Sequence, residues 1–431
     1  MAMWDDLGFE GNLYDTAPIP PTPEGASLLV GRKKELRKVE NRLTSSNQHL
    51  LIEGDSGVGK TSLISIAAFK LAQKFYENSS DQAIIPVKST FQLSPNLDVR
   101  DFKRNVLYEV VRAFEDNYDV LKRRGFSVPE DVKRVSSWLS DPVFKGPEFG
   151  VQLAGFGGNY GNSSEPNTSL GFSDSGFENV VERWLENCFP SVENGGFVCV
   201  IDNMELLETS KKARDLLESM RDTCLNIKGI RWVLCGARGI IGSVTASPRL
   251  EGRLHDLLKV EPIADEAVPL LIEKRILSYR KNETAVAPVG AKGFGYLYDL
   301  FGNNLRSALS YSTKFSTYCY EEEVVLTDDN RDEILRNWVE NTAKEIYSNI
   351  SLTPKTWEVF DGIVARGGKC SPNDYESFNF SSNQAMRPKV RDLEEINLTV
   401  SSVDESDRRR KTISLTSNGW LVSHYRSALD D

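Results

Sequence analysis

The stretch Leu50-Leu51-Ile52-Glu53-Gly54-Asp55-Ser56-Gly57-Val58-Gly59-Lys60-Thr61 decides the fold of this 431-residue chain. It begins as an apolar run that suits a buried strand and then matches the pattern G-x-x-x-x-G-K-T, and the residues after it favour a helix. Glycines allow the backbone to turn so that successive N–H groups point to one anion, and the start of the helix adds partial positive charge. The pattern therefore predicts a phosphate-binding loop between a parallel strand and a helix.

The side chains of this loop have predicted roles in holding a nucleoside triphosphate. Lys60 is expected to face solvent until it reaches the β- and γ-phosphates, and the Thr61 hydroxyl is expected to bind Mg²⁺. The predicted cofactors are thus ATP and Mg²⁺. The residues of the loop that are predicted to contact the nucleotide are Gly54, Asp55, Ser56, Gly57, Val58, Gly59, Lys60, Thr61 and Ser62.

Composition limits the class of protein. With 40% hydrophobic and 26% charged residues, and without an apolar run of the roughly 20 residues that span a bilayer, the chain is expected to be a soluble cytoplasmic protein with no membrane partner. Six widely spaced cysteines, with no C-x-x-C pair, are expected to be reduced thiols. The formal net charge of −10 argues against binding of polyanions by the whole surface. Any nucleic-acid contact is therefore expected to be local.

Strands and helices alternate after the phosphate-binding loop. Apolar runs at 83–87, at Phe197–Ile201 and from Ile230 to Arg238 predict strands, and helical patterns separate them. Such alternation predicts a doubly wound parallel sheet, whose ligand site lies beyond the carboxyl ends of the strands. Gly54, Asp202 and Arg238 would all lie at that edge.

Four motifs carry a resemblance to a known family. Val30-Gly31-Arg32 with Glu35-Leu36 resembles the box that cups adenine, and Gly54–Thr61 resembles a Walker A motif. Val198–Asp202 resembles a Walker B strand, and Gly302-Asn303-Asn304-Leu305-Arg306 resembles a sensor 2 signature. Together they resemble an AAA+ ATPase of the origin-recognition (initiator) type over about residues 28 to 320, with traits shared by STAND signalling ATPases.

The resemblance implies roles for three charged side chains. Lys60 and Arg306 would neutralise phosphate oxygens, and Asp202 would orient the metal or its water shell. In most AAA+ proteins a glutamate that positions water directly follows the Walker B aspartate, but here that place is Asn203. Glu205 is the candidate for that role, or else it stabilises the start of the next helix, in which case turnover is slow and the protein is a switch.

Three further arginines are candidates for contacts with the nucleotide. Arg238 ends a predicted strand, where it is either a γ-phosphate sensor or part of a surface salt bridge. Arg249 and Arg253 precede the predicted strand Leu257–Val260, the place where AAA+ assemblies offer an arginine finger to a neighbouring subunit. The resemblance thus implies a homo-oligomer formed through the ATPase domain.

The last eighty or so residues resemble a MarR-type winged helix. Three helices are predicted, and Leu393-Glu394-Glu395 ends the third, which resembles the recognition helix. The pattern D-x-x-D-R-R followed by L-T-x-x-G, from Asp404 to Gly419, resembles the wing. Residues 351–431 carry eleven Lys and Arg against twelve Asp and Glu, and Pro388 is expected to shorten or kink the third helix. Such modules bind DNA, or dock proteins and autoinhibit. The candidate DNA-binding residues are Gln384, Arg387, Lys389, Arg408, Arg409, Arg410 and Lys411.

The sequence thus predicts an ATPase that binds duplex DNA and a protein partner, or alternatively an ATP-gated signalling or antiphage defence switch whose winged helix is regulatory. The predicted segments are an extended N-terminal arm at 1–27, an ATPase core at 28–262 with a Gly- and Asn-rich insert at 146–176, a helical lid with a connecting helix at 263–349, and a winged helix at 350–431.

Overall fold

The structure is a computed structural model that describes residues 2–133, 135, 176–207, 210–237, 241, 244–245, 247–404 and 410–430. The chain divides into two compact units. We call them the sheet unit, which is Lys34–Glu53 with Leu63–Lys259, and the P-loop unit, which is Met1–Lys33 with Gly54–Ser62 and Val260–Asp431. The predicted insert at 146–176 lies outside the described residues except for Gly176.

The sheet unit is built on five parallel strands in the order β2-β3-β4-β1-β5. The strands are β1 (Leu50–Glu53), β2 (Ala83–Gln92), β3 (Gly195–Asp202), β4 (Ile230–Gly236) and β5 (Leu258–Lys259). The helices are α3 (Lys33–Ser45), α4 (Lys60–Tyr76), α5 (Val99–Asp116), α6 (Tyr118–Arg123), α7 (Phe177–Cys188) and α8 (Ser210–Met220), of which α3 and α4 cross the boundary between the units. Short 3₁₀ helices span Val192–Asn194 and Met204–Leu207.

The inner strands form because most of their residues are apolar on both faces, and the one charged residue of β4, Arg231, donates to the carbonyls of Ser46 and Val192. Every residue of β4 is buried, as a strand between two others in a helix-covered parallel sheet requires. Trp232 packs on Phe91 and Phe102, and Phe197 packs on Phe114, with edge-to-face or stacked rings. The predicted fold class, a doubly wound parallel α/β sheet that carries a P-loop, is confirmed.

The P-loop unit contains the chain termini and a set of helices. Its helices are α1 (Ala2–Asp6), α2 (Pro23–Leu28), α9 (Val268–Tyr279), α10 (Ala291–Leu300), α11 (Leu305–Glu321), α12 (Arg331–Ser348), α13 (Pro354–Val364), α14 (Asn383–Glu395) and α15 (Ser417–Asp430). The segments Asp265–Ala267 and Pro372–Phe378 are 3₁₀ helices. Helices α9 to α12 surround a core that includes Phe294, Phe301 and Phe315.

The N-terminal segment is expected to be an extended arm, and this expectation is wrong because both ends of the segment are helical. It begins with α1 and ends with α2, which starts at Pro23 because the Thr22 hydroxyl accepts a hydrogen bond from the Gly25 N–H and proline fits the first helical turn. Between them, Phe9 and Tyr14 are fully buried, and the Tyr14 hydroxyl donates to the Val289 carbonyl at 2.7 Å. The segment is therefore a packed part of the P-loop unit.

The C-terminal residues form helices beside a small antiparallel sheet. Its strands β6 (Lys369–Cys370), β7 (Thr399–Asp404) and β8 (Arg410–Leu415) have the order β6-β8-β7. The predicted hairpin followed by a helix is thus confirmed, as is the end of the third helix at Glu395. That helix continues through Pro388, so the expected shortening does not occur.

The cysteines and the apolar helices bear on two expectations from composition. All six cysteines are free and buried, as the reduced thiols of the sequence prediction require. Burial raises the pKa of the Cys188, Cys319 and Cys370 thiols to about 12. In the part of the chain that the structure describes, no helix is both long and apolar enough to cross a membrane.

Candidate nucleotide site

Two acidic residues, Asp202 and Glu53, are buried at the carboxyl edge of the parallel sheet. Ile201, Leu234 and Leu51 lie in one row across β3, β4 and β1, so Asp202 and Glu53 end their strands at nearly the same level. With β4 between them, their Cα atoms are separated by two strand spacings, or about 10 Å. Asp202 is 7% exposed, and Glu53 leads directly into Gly54. The Walker B strand thus ends where the sequence predicts.

The loop from Gly54 to Gly59 has the conformation of a phosphate cradle. Gly57 and Gly59 have φ values of 84° and 91°, which side chains with a Cβ rarely adopt, and α4 begins directly afterwards at Lys60. A Cβ on Gly57 would also lie 2.7 Å from the Cβ of Arg306. The backbone turn and the helix start together fit an anionic phosphate chain.

Lys60 does not face solvent, so that expectation is wrong. Its side chain is 8% exposed, and its ammonium donates hydrogen bonds to the carbonyls of Gly54 at 2.9 Å and Asp55 at 3.1 Å. The buried ammonium takes these carbonyls as acceptors, because an unpaired buried charge is costly. The group is therefore held inside the loop in a position from which it can exchange carbonyl for phosphate oxygens.

The segment predicted to be sensor 2, Gly302 to Arg306, contacts the loop from Gly54 to Gly59. Arg306 donates to the Ser56 hydroxyl at 3.4 Å, and the Asn304 side-chain amide donates to the Ser56 carbonyl at 3.4 Å. Asn304 also caps α11, since its side-chain oxygen accepts from the Ser307 N–H at 3.0 Å. The start of α11 is thus fixed against the loop, with a guanidinium beside it.

The predicted adenine-side residues lie in the P-loop unit as well. Val30 is half-buried and Gly31 is exposed, whereas Arg32 is 3% exposed and donates to the Val58 carbonyl at 2.8 Å. Arg32 therefore fixes the loop backbone. The N-terminal segment also contacts the residues that follow the loop, since the Ile19 N–H donates to the Ser62 hydroxyl at 3.0 Å, a contact that no sequence motif indicates.

A second contact to the loop comes from the C-terminal residues and was not predicted. The ammonium of Lys369 in β6 lies 2.8 Å from a carboxylate oxygen of Asp55. Their side chains are 52% and 31% exposed. No sequence signal could have found this pair, because Lys369 belongs to a two-residue strand and is 314 positions from Asp55.

The end of β3 makes a sharp turn at Asn203, whose φ is 55°. Its N–H donates to the Asp202 carboxylate at 2.8 Å. Glu205 lies in the 3₁₀ helix that follows, but its side chain, like all of Arg238, lies outside the described residues. Their predicted roles remain predictions. Among the residues that the structure describes, no group of three or more His, Cys, Asp or Glu could hold a metal ion. The roles of Thr61 and Asp202 as Mg²⁺ ligands also stay predictions.

The two arginine-finger candidates contact their own chain. Arg249 lies 3.5 Å from Glu218, and its side chain is 63% exposed. Arg253 donates to the side-chain oxygen of Asn226. A role for either in a neighbouring subunit also stays a prediction.

Three of the candidate DNA-binding side chains lie on α14. Gln384 and Arg387 are exposed one helical turn apart, and Arg391 continues the same face one turn later. Lys389 is half-buried and lies 3.5 Å from Asp392. Arg408 and Arg409 lie outside the described residues, and for Arg410 and Lys411 the structure gives only the backbone of β8.

Comparisons with known proteins were made by sequence and by structure. No protein-family model matches the chain, and no curated protein matches it in sequence. Similar solved structures include the Aeropyrum pernix ORC2 protein in ADPNP and ADP complexes, at 11% identity, a TM-score of 0.44 and coverage of 98% of both chains. Another is the A. pernix ORC1 protein in complex with DNA, at 14% identity, a TM-score of 0.43 and again 98% of both chains. A third is the Walker-type ATPase PABY2304 of Pyrococcus abyssi, at 13% identity and a TM-score of 0.46, with 95% of this chain and 99% of that one covered.

Proposed function

We propose that the chain is an ATP-binding ATPase of AAA+ type that assembles in an ATP-dependent manner and contacts duplex DNA through residues 350–431, which we call the C-terminal module. The conformation of the loop from Gly54 to Lys60 carries this proposal. A glycine-rich turn, a helix start and a buried ammonium held by two carbonyls form a site with the charge and shape for a triphosphate.

The charged residues have separate proposed roles at this site. Mg²⁺-bound ATP supplies the phosphoryl group that is transferred to water. Lys60 and Arg306 supply positive charge beside the loop, and Asp202 supplies a buried carboxylate for the metal or its water shell. The remaining need is a group that positions water, for which Glu205 is the candidate.

Titration calorimetry with ATP tests the binding step. Lys60→Ala should abolish measurable ATP binding, while Lys70→Ala, which removes a lysine from the same helix α4, should bind as the wild type does. Because Lys60 also bonds two loop carbonyls, thermal unfolding of each variant must show a folded protein. ATP binding by a folded Lys60→Ala variant equal to that of the wild type would refute the proposal.

Phosphate release measured in single and multiple turnovers tests the hydrolytic step. Asp202→Asn should impair Mg²⁺-dependent turnover. Glu205→Gln should trap bound ATP if Glu205 positions water, whereas turnover equal to wild type would place the catalytic acid elsewhere. A wild-type protein that binds ATP without turnover would be a nucleotide switch.

The DNA contact is proposed for the exposed face of α14 and for the wing. Gln384 and Arg387 present an amide and a guanidinium along one helix face, a suitable pair for base edges and phosphates. Arg391 lies one turn later on that face and is paired with Glu395 at 2.9 Å. Arg387→Ala should change preference among duplex sequences in fluorescence anisotropy, whereas Arg408→Ala with Arg409→Ala should weaken binding to all duplexes alike. Duplex binding by Arg387→Ala identical to that of the wild type for every sequence would exclude base readout by α14.

One observation favours a second function, an ATP-gated switch whose C-terminal module is regulatory. The pair of Lys369 with Asp55 ties that module to the phosphate-binding loop. ATP turnover with and without duplex DNA separates the two functions, because stimulation by DNA is expected only of a DNA-dependent ATPase. Turnover that rises on Lys369→Ala and ignores DNA would favour the switch.

A further inference from the structure

Helix α3 carries unpaired positive charge on its exposed face. Lys34, Arg37 and Lys38 are exposed, and within the described residues none of them has an ion-pair or hydrogen-bond partner. Arg37 and Lys38 lie three and four residues after Lys34, that is, about one helical turn away, so the three side chains share one face of the helix. In a chain with a formal net charge of −10, these three cations form a local excess of positive charge, which suits an anionic ligand.

These side chains line a groove rather than a convex surface. A cavity of about 800 Å³ lies between α3, the last turns of α4 and residues 79–82. Lys74 of α4 adds a fourth cation on the opposite wall, where it is paired with Glu40 at 3.0 Å. All of these residues belong to the sheet unit.

The far wall of the groove is fixed by an arginine behind it. Arg124 donates to the carbonyls of Phe75 at 2.8 Å and Ser80 at 2.9 Å, and it pairs with Asp81 at 2.8 Å. The nearby carboxylate of Asp81 is thus neutralised by a cation outside the groove. Besides Glu40 and the apolar Leu71, the rest of the lining consists of hydroxyl and amide side chains, namely Asn41, Thr44, Ser79, Ser80 and Gln82.

We infer that this groove, which we call the α3 groove, binds the phosphate backbone of nucleic acid. Lys and Arg are the side chains that most often contact phosphates, and Lys34, Arg37 and Lys38 supply three such cations. The hydroxyls of Thr44 and Ser79 and the amide of Gln82 already donate to backbone carbonyls, so the cations carry the proposed contact. Leu71 is the one apolar side chain among the residues that line the groove. An acidic peptide would be expected to use apolar anchors as well as charge. All residues that line the groove belong to the sheet unit, and none of them belongs to the phosphate-binding loop from Gly54 to Ser62.

This contact adds a second surface to the DNA-binding function proposed above but does not depend on α14. Each phosphate contact adds about 0.9 to the slope of log affinity against log salt concentration. The variant Lys34→Ala with Arg37→Ala and Lys38→Ala should therefore lower that slope by about 2 to 3, for all duplex sequences alike. The three residues are exposed helix positions, at which alanine is well tolerated.

The test is fluorescence anisotropy of the full chain with labelled duplex DNA across a salt series. The matched control removes three exposed cations elsewhere in the sheet unit, as Lys122→Ala with Arg123→Ala and Lys133→Ala, and should leave the slope unchanged. Three outcomes would overturn the inference. The α3 variant could have the slope of the wild type, or both triple variants could lose slope equally. Poly-glutamate could also displace DNA as readily as unlabelled DNA does. If Arg387→Ala weakens duplex binding and the α3 variant does not, the contact through α14 is supported and the contact through the α3 groove is refuted. The failure of one proposal can thus be distinguished from the failure of the other.

Discussion

Lys369 and Asp55 form an ion pair of 2.8 Å between the C-terminal strand β6 and the phosphate-binding loop. Asp55 lies one residue after Gly54, and its carbonyl also accepts a hydrogen bond from Lys60. The C-terminal module and the lysine that is predicted to bind phosphate thus meet at one residue. A carboxylate at this position would repel a triphosphate unless a cation neutralised it.

We expect Lys369→Ala to weaken ATP binding without unfolding the protein. The pair is partly exposed, so its loss should cost less than about 1 kcal/mol of stability. The freed carboxylate should weaken ATP binding about fivefold, which corresponds to about 1 kcal/mol of charge repulsion. In an Asp55→Asn background the same change should have no effect on affinity.

Titration calorimetry of the four proteins of this double-mutant cycle measures the coupling. Lys355→Ala is a suitable control, because Lys355 is paired with Glu358 within the same C-terminal module. Equal effects of Lys369→Ala in both backgrounds would show that the pair does not act on the nucleotide site.

A second relationship joins β6 to the start of α11. The Trp420 ring packs against both Gly302 and Gly368, and a Cβ on either glycine would overlap it. Gly302 begins the sensor 2 segment, and Gly368 precedes Lys369. The indole thus holds together the two segments from which Arg306 and Lys369 reach the phosphate-binding loop.

We predict that Gly368→Ala destabilises the protein more than Gly367→Ala does. Both glycines have a φ of 70° to 79°, so both changes carry the cost of a left-handed alanine, but a Cβ on Gly367 would meet no atom within 4 Å. The difference isolates the overlap with Trp420 and should be about 1 to 3 kcal/mol in the free energy of unfolding. Denaturant unfolding measures it, and equal losses would show that the Trp420 ring moves aside freely.

Much of the sheet could be predicted from the sequence. The run at Phe197–Ile201 is apolar at every position, and the run from Ile230 is apolar apart from Arg231, which is typical of strands covered on both faces. The acid that closes the first run marks the edge with the ligand site. The glycines of the loop likewise predict its turn. These features are local, so the sequence contains them directly.

The contacts around the loop could not be predicted in this way. The expectation for Lys60 considered phosphate as its one partner and ignored the carbonyls that the glycine turn leaves free. The pair of Lys369 with Asp55 depends on how β6 packs in the P-loop unit, and no periodic pattern records such packing. The prolines of the N-terminal segment suggested an extended arm, but Pro23 instead starts a helix.

The backbone at Asn203 supports another prediction. With a φ of 55°, this position favours asparagine or glycine over other residues. Asn203→Ala should therefore lower the free energy of unfolding by about 1 kcal/mol, while Asn203→Gly should be close to neutral. Thermal or denaturant unfolding of both variants provides the check. A loss in the glycine variant as large as in the alanine variant would show that the asparagine side chain, not its backbone, stabilises the turn.

The last prediction concerns acid stability and depends on His49. Its side chain is 4% exposed, and Nε2 lies 2.8 Å from the Leu225 carbonyl, so this nitrogen carries the proton and donates it. Burial lowers the pKa of His49 from 6.5 to about 4. Between these pH values the unfolded chain binds more protons than the folded one, so stability is fully present above pH 6.5 and is lost as the pH falls toward 4.

A pKa difference of this size corresponds to about 3 kcal/mol across that window. His49→Gln keeps an N–H that can reach the Leu225 carbonyl but does not titrate, so its unfolding free energy should fall less between pH 7 and pH 4.5 than that of the wild type. His255 is half-buried, and burial lowers its pKa as well, so His255→Gln serves as a control with a smaller expected effect. Urea unfolding at a series of pH values measures the difference. Parallel pH profiles for wild type and His49→Gln would mean that His49 is already protonated in the folded protein, or that other groups govern acid unfolding.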